Sequence, residues 1–238
     1  MERPVKLVSL LRPVAAPGGW DAFVNGKLAQ GVPGLQRLVL NDVLPIDIRT
    51  GTEGIPPYAA IIEAWFASPA DADRFAAAVR AHGDAVQMHV DDLLIHDCGR
   101  RPLPNKIMVT LKRRADLSRE QAQRHWRTRH VEVGLVEHDA ATFLQLYYQN
   151  HVTRSDQPEG SALDFDGMPE YWVDPADLAS VGEDSPVMRA IAEDEVLFVD
   201  RSAIVTMMVT ERELYVAPGV TGGWPVRPSP LHSVLAAG

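Results

Sequence analysis

Apolar and polar positions along this chain fall into short runs, and the runs come in pairs. Val5-Lys6-Leu7-Val8-Ser9-Leu10-Leu11-Arg12 reads as a strand, and Lys106-Ile107-Met108-Val109-Thr110-Leu111-Lys112-Arg113 reads the same way later in the chain. Residues 59–66, holding Glu63 and Trp65, precede Ser68-Pro69-Ala70-Asp71. Residues 168–173, holding Glu170 and Trp172, precede Asp174-Pro175-Ala176-Asp177. Both pairs read as a strand ending in a helix cap with Pro at the first helical position. A third pair, residues 89–95 and 198–205, closes each half as a strand. Ser118 with Gln121 three residues on is a capping box, opening a helix that runs to about Glu137. Residues 143–149 then read as a strand and 184–194 as a short helix. In the first half the matching elements are a weak helix over 20–30, a strand over 35–44 and an Ala-rich helix over 70–82.

Each half therefore predicts strand, helix, strand, strand, helix, strand. The fold class expected is α+β, with two ferredoxin-like repeats (βαββαβ) over 1–98 and 106–216. Residues 99–105 form the linker, long loops interrupt the halves at 46–57 and 154–162, and a Gly/Pro-rich tail covers 217–238. A four-stranded sheet with helices on one face leaves its other face bare. Packing the two repeats sheet to sheet covers both faces, giving an intramolecular dimeric α+β barrel. One chain then completes the barrel, as a monomer or within a homodimer.

Composition narrows the function classes. The 238 residues are 46% hydrophobic and 23% charged, which supports a buried core and argues against disorder. A net charge of −9 repels phosphate backbones, so nucleic acid is not an expected partner. Cys98 is the only cysteine, so no internal disulfide forms and a reducing compartment fits. The start, Met1-Glu2-Arg3-Pro4, does not read as a signal peptide, and no apolar stretch of 18 residues follows. The expectation is a cytoplasmic protein with no membrane partner.

The second half resembles the EthD family of dimeric α+β barrel proteins. The resemblance rests on residues 106–113 leading to Leu117-Ser118-Arg119-Glu120, and on His125-Trp126-Arg127-Thr128-Arg129-His130. It continues through Tyr147-Tyr148-Gln149-Asn150-His151-Val152, then residues 165–172 and 194–200. The first half departs at its first helix, where Asn25-Gly26-Lys27-Leu28 matches nothing in the run from Trp126 to His130. That implies one working half and one degenerate half. EthD-like and neighbouring barrels include cofactor-free decarboxylases, dehydratases, cyclases and isomerases, alongside members without assigned chemistry and some haem binders.

On an α-helix Ala122, Trp126, His130, Val133 and Glu137 form one stripe, which turns His130 toward the sheet. A buried neutral imidazole there suits proton transfer; the alternative is a core or capping histidine. Met168, Glu170 and Trp172 share one strand face, so Glu170 is a carboxylate in apolar surroundings, where desolvation raises its pKa. The alternative is a solvated edge position. Glu63 holds the same place in the first half, and Tyr148 and Asn150 alternate onto one face of the neighbouring strand. The site expected has His130, Glu170 and Tyr148 as catalytic residues, with Trp126, Asn150, Trp172, Met168 and Glu63 around the substrate. The activity expected is a cofactor-independent lyase or isomerase acting on a hydrophobic, aromatic or polyketide-like molecule. A non-catalytic small-molecule binder or auxiliary protein is the alternative. No metal spacing stands out: His125 and His130 are five apart and point different ways on an α-helix. Haem would require His130 as an axial ligand, and no phosphate-binding motif indicates a nucleotide cofactor.

Overall fold

Runs with apolar residues on both strand faces become sheets buried on both sides. The computed structural model describes residues 4–47, 52–103, 105–182, 184–220 and 227–228. In chain order the main elements are β1 (Val5–Leu11), α1 (Gly19–Gln30), β2 (Leu35–Val43), β3 (Ala60–Phe66), α2 (Pro69–His82), β4 (Ala85–Asp97) and β5 (Lys106–Val109). There follow α3 (Arg119–His125), β6 (Leu144–Ser155), β7 (Gly167–Val173), α4 (Pro175–Val181), α5 (Pro186–Glu195) and β8 (Thr206–Val216). The residues divide into two units. The first holds 1–91, 153–158 and 209–225; the second holds 92–152, 159–208 and 226–238. Among the described residues no helix is long and apolar enough to cross a membrane.

In the first unit β1 lies between β3 and β4, β3 also pairs with β2, and β2 pairs with residues 209–216 of β8, all antiparallel. One sheet face is aliphatic. Leu7, Leu38, Leu40, Ile62 and Ala64 pack there against Phe23 and Val24 of α1 and Phe75 and Val79 of α2. Helix α2 starts as its sequence dictates: the Ser68 hydroxyl accepts from the Asp71 N–H, and Pro69 takes the first turn. Arg212 of β8 donates to both Asp42 and Asp21, tying the sheet edge to the start of α1.

In the second unit β7 lies between β5 and β6. The expected capping box is present, since Ser118 and Gln121 bond each other's backbone N–H. Beyond α3 the chain keeps coiling to Glu137, but as π-helical turns over Trp126–His130 and Glu132–Glu137. Arg113 and Arg119 hold the fully buried Asp166 and its neighbour Asp164, clamping residues 159–166 against the start of α3. Three expectations change here. The closing strand is Thr206–Val216, not residues 198–205, because the Asp200 carboxylate caps a 3₁₀ turn over Arg201–Ala203. The second helix region splits into α4 and α5, each opened by its own cap, Asp174 and Ser185. The 46–57 loop carries two short paired strands, Ile46–Asp47 and Thr52–Glu53. Apart from 217–220 and 227–228, the tail lies outside the described residues.

Candidate functional site

Two buried side-chain clusters repeat position for position. In the first unit Lys6 lies opposite Trp65 and Asn41 lies opposite Ile61; in the second Lys106 lies opposite Trp172 and Asn150 opposite Met168. Lys6 Nζ is 2.6 Å from Glu63 Oε1, and Lys106 Nζ is 2.9 Å from Glu170 Oε2. Asn41 donates to Glu63 as Asn150 donates to Glu170. Each lysine also sits over its tryptophan, at 4.7 Å for Trp65 and 4.8 Å for Trp172. Both carboxylates are 0% exposed. Glu170 is therefore not a carboxyl left among apolar groups, as the strand pattern predicts. A cation and an amide compensate its charge, and Glu63 has the same arrangement.

The opposite sheet face differs between the units. Counting from the paired clusters, Leu38, Leu40, Asp42 and Ala64 of the first unit correspond to Tyr147, Gln149, His151 and Tyr171 of the second. Three aliphatic residues and an acid are thus replaced by two tyrosines, a glutamine and a histidine under α3 and the π-helical turns. Trp126 Nε1 donates to the Tyr147 hydroxyl at 3.0 Å. Gln149 Nε2 donates to the same hydroxyl at 3.0 Å and to the Trp126 carbonyl at 3.1 Å. With both amide hydrogens used, Gln149 Oε1 accepts, so the proton on His151 is assigned to Nε2, 2.9 Å away. Burial pushes the Tyr147 phenol up to about 12 and drives His151 down to about 3, with Arg127 adding to the latter. Trp126 lies on Gly167, where any Cβ would overlap its ring.

His130 and Trp126 lie on this helix-covered side. By strand alternation Glu170, Tyr148, Asn150, Met168 and Trp172 lie on the other, with the Tyr148 and Trp172 rings 6.1 Å apart. The structure therefore brings the predicted residues together in two groups and does not join His130 to Glu170 or Tyr148; Glu63 belongs to the first unit's own cluster. His130 also departs from the predicted stripe. Its Nδ1 is 2.7 Å from Asp194 Oδ2, and its ring meets Phe198 edge-on at 5.2 Å. His125, read from the sequence as pointing elsewhere, places Nε2 2.9 Å from Asp194 Oδ1 and stacks on Phe198 at 4.8 Å. The π winding is the cause. Its i→i+5 hydrogen bonds bring residues five apart to one side, so both imidazoles reach one carboxylate.

Asp194 and Glu195 of α5 enter the sequence reading as part of the 194–200 segment of the EthD resemblance, with no site role. The available signal was the five-residue histidine spacing, which has meaning only on a π-wound helix. Burial opposes ionisation of Asp194, but hydrogen bonds from His130 and His125 outweigh it and hold the carboxyl below its ordinary value. Burial pushes Glu195 up, partly offset by His130 and Arg201. With Asp194 accepting at Nδ1, His130 keeps Nε2 as its basic nitrogen, the arrangement of an imidazole oriented for proton transfer. Among the described residues no group of three or more His, Cys, Asp or Glu is placed to hold a metal ion.

Residues 114–202 match the family described as EthD domain. No curated protein matches the chain. Among solved structures, an anthrone oxidase-like protein aligns with a TM-score of 0.56 at 9% identity, covering 89% of this chain and 94% of its own. A mutant chlorite dismutase from Candidatus Nitrospira defluvii aligns with a TM-score of 0.52 at 11% identity, covering 88% of this chain and 93% of its own. At such identities the likeness is one of fold alone, a mixed α+β fold. The segment similar to the EthD domain, residues 114–202, is the part of this chain that carries His125, His130 and Asp194.

Proposed function

We propose that the second unit is a cofactor-independent lyase or isomerase in which His130 moves a proton on a hydrophobic, aromatic or polyketide-like molecule. The observation that carries this reading is the 2.7 Å contact between His130 Nδ1 and Asp194 Oδ2. Asp194 holds one tautomer and balances the imidazolium that forms when Nε2 takes a proton from substrate. Glu195, kept closer to neutrality by burial, supplies an acid of different strength nearby, and groups whose pKa values are pushed apart suit paired acid and base roles. Trp126 and Phe198 give the region an aromatic lining, which supports an aromatic substrate. Asymmetry between the units supports placing the site here. The lysine–glutamate–asparagine–tryptophan cluster is common to both and fits a structural role, whereas the histidine–aspartate arrangement has no counterpart among the described residues of the first unit. The matching registers also support reading the two units as copies of one ferredoxin-like repeat.

The test is turnover of candidate phenolic and lactone metabolites by the wild type, His130→Gln and Asp194→Asn. The expected loss is ~10²-fold or more for His130→Gln, the usual contribution of a positioned acid–base group. Asp194→Asn should lower kcat with little change in KM and displace the acidic limb of the pH profile, because it orients the base without touching substrate. Equal rates in all three proteins would remove His130 from the mechanism. Saturable binding with no turnover would establish a non-catalytic binder instead.

A further inference from the structure

A cleft of about 220 Å³ opens on the helix-covered side of the first unit, lined by Val14, Trp20, Leu40, Ala60, Asp21 and Asp42 among others. Its position becomes informative once the two units are put in register. Asn41 and Glu63 correspond to Asn150 and Glu170, so Leu40, Asp42 and Ala60 correspond to Gln149, His151 and Gly167. Asp42 pairs with Ala60 in the first unit as His151 pairs with Gly167 in the second. Those three residues of the second unit are the ones Trp126 touches. Its carbonyl accepts from Gln149, its ring lies 4.6 Å from His151, and its six-membered ring rests on Gly167. The cleft of the first unit is thus the space that an indole fills in the second.

Trp20 does not fill that space. Its Nε1 donates to the Arg12 carbonyl at 2.7 Å, and its ring packs on His82 at 5.0 Å and Phe23 at 5.7 Å. Gly19, at φ 53°, adds no side chain to the opening. The cleft is open to solvent on one side, and its volume of about 220 Å³ gives room for a bicyclic ring with one edge at the mouth. The rim is polar and acidic. Among the described residues Asp21 and Asp42 both pair with Arg212, one guanidinium for two carboxylates, where the second unit has His151.

We infer that the first unit carries a binding site for a planar aromatic amine, its ring taking the position of the Trp126 indole and its ammonium meeting Asp42 and Asp21. The apolar floor of Leu40 and Ala60 selects the ring, and the two carboxylates that share Arg212 select the cation. This site is separate from the one proposed around His130 and does not depend on it.

The experiment titrates tryptamine and indole into the full chain, read by calorimetry and by amide chemical shifts. Tryptamine should bind saturably, more tightly than indole, with shifts centred on Trp20, Leu40 and Asp42. Asp42→Asn should weaken tryptamine by ~10-fold or more and indole by less than ~3-fold, since only the former loses a charge-assisted contact. Ala60→Phe places a ring in the cleft and should abolish both. If Ala60→Phe fails to fold, the contrast between the two probes in Asp42→Asn decides alone. No saturable binding of either probe, equal weakening of both by Asp42→Asn, or shifts centred elsewhere would overturn the site.

Discussion

His151 offers a quantitative check on the polar interior of the second unit. It is 4% exposed, tilted against the Trp126 ring and bonded through Nε2 to Gln149, while Nδ1 is buried with no partner among the described residues. Its charged form would lose hydration without gaining a counter-ion, which is why the folded protein protonates it only near pH 3. The unfolded chain protonates the same residue near 6.5. Above that pH neither state holds the proton, and folding is indifferent to it. As the pH falls below about 6.5 the unfolded state gains a proton that the folded state refuses, so stability is lost until the folded histidine titrates near 3. One proton corresponds to about 1.4 kcal/mol per pH unit, or about 3 kcal/mol between pH 6.5 and pH 4. His151→Gln removes the titration while keeping an N–H for Gln149 Oε1. Urea unfolding of both proteins, followed by tryptophan fluorescence from pH 7.5 to 4, isolates the effect, because every other group contributes to both curves. The wild type should lose about 3 kcal/mol more than the variant over this range. Parallel curves, agreeing to within about 0.5 kcal/mol, would show that His151 is solvated or paired and refute the buried-network reasoning.

Glu63→Gln and Glu170→Gln should destabilise the protein to a similar degree, each by about 3–5 kcal/mol, since each removes the carboxylate charge beside a buried lysine. Denaturant midpoints check this, and a large inequality would break the equivalence of the two clusters. Gly167→Ala should cost about 1–3 kcal/mol, because the added methyl overlaps the Trp126 ring and the core must shift. A thermal melt unchanged by that substitution would mean that Trp126 does not rest on the strand.

Much of the architecture was legible from the chain alone. Pro after a small or acidic residue marks the starts of α2 and α4, and Ser118 with Gln121 marks α3, because caps act within one turn. Alternation in the strands, and their recurrence in the second half, located both Glu–Trp pairs, since side-chain direction follows from strand period alone. The EthD resemblance also followed from the order of those pieces. The partners of those side chains were not legible. Lys6 reaches Glu63, and Lys106 reaches Glu170, only through pairing of strands far apart in sequence. A carboxylate that alternation places among apolar neighbours is in fact neutralised by a cation from the next strand. The site itself turned on helical winding. An α-helix separates His125 from His130, whereas π turns align them on Asp194, a residue from another helix. Local spacing determines which face a residue takes; only packing decides what it meets there, because the groups that fix its charge and tautomer come from distant parts of the chain.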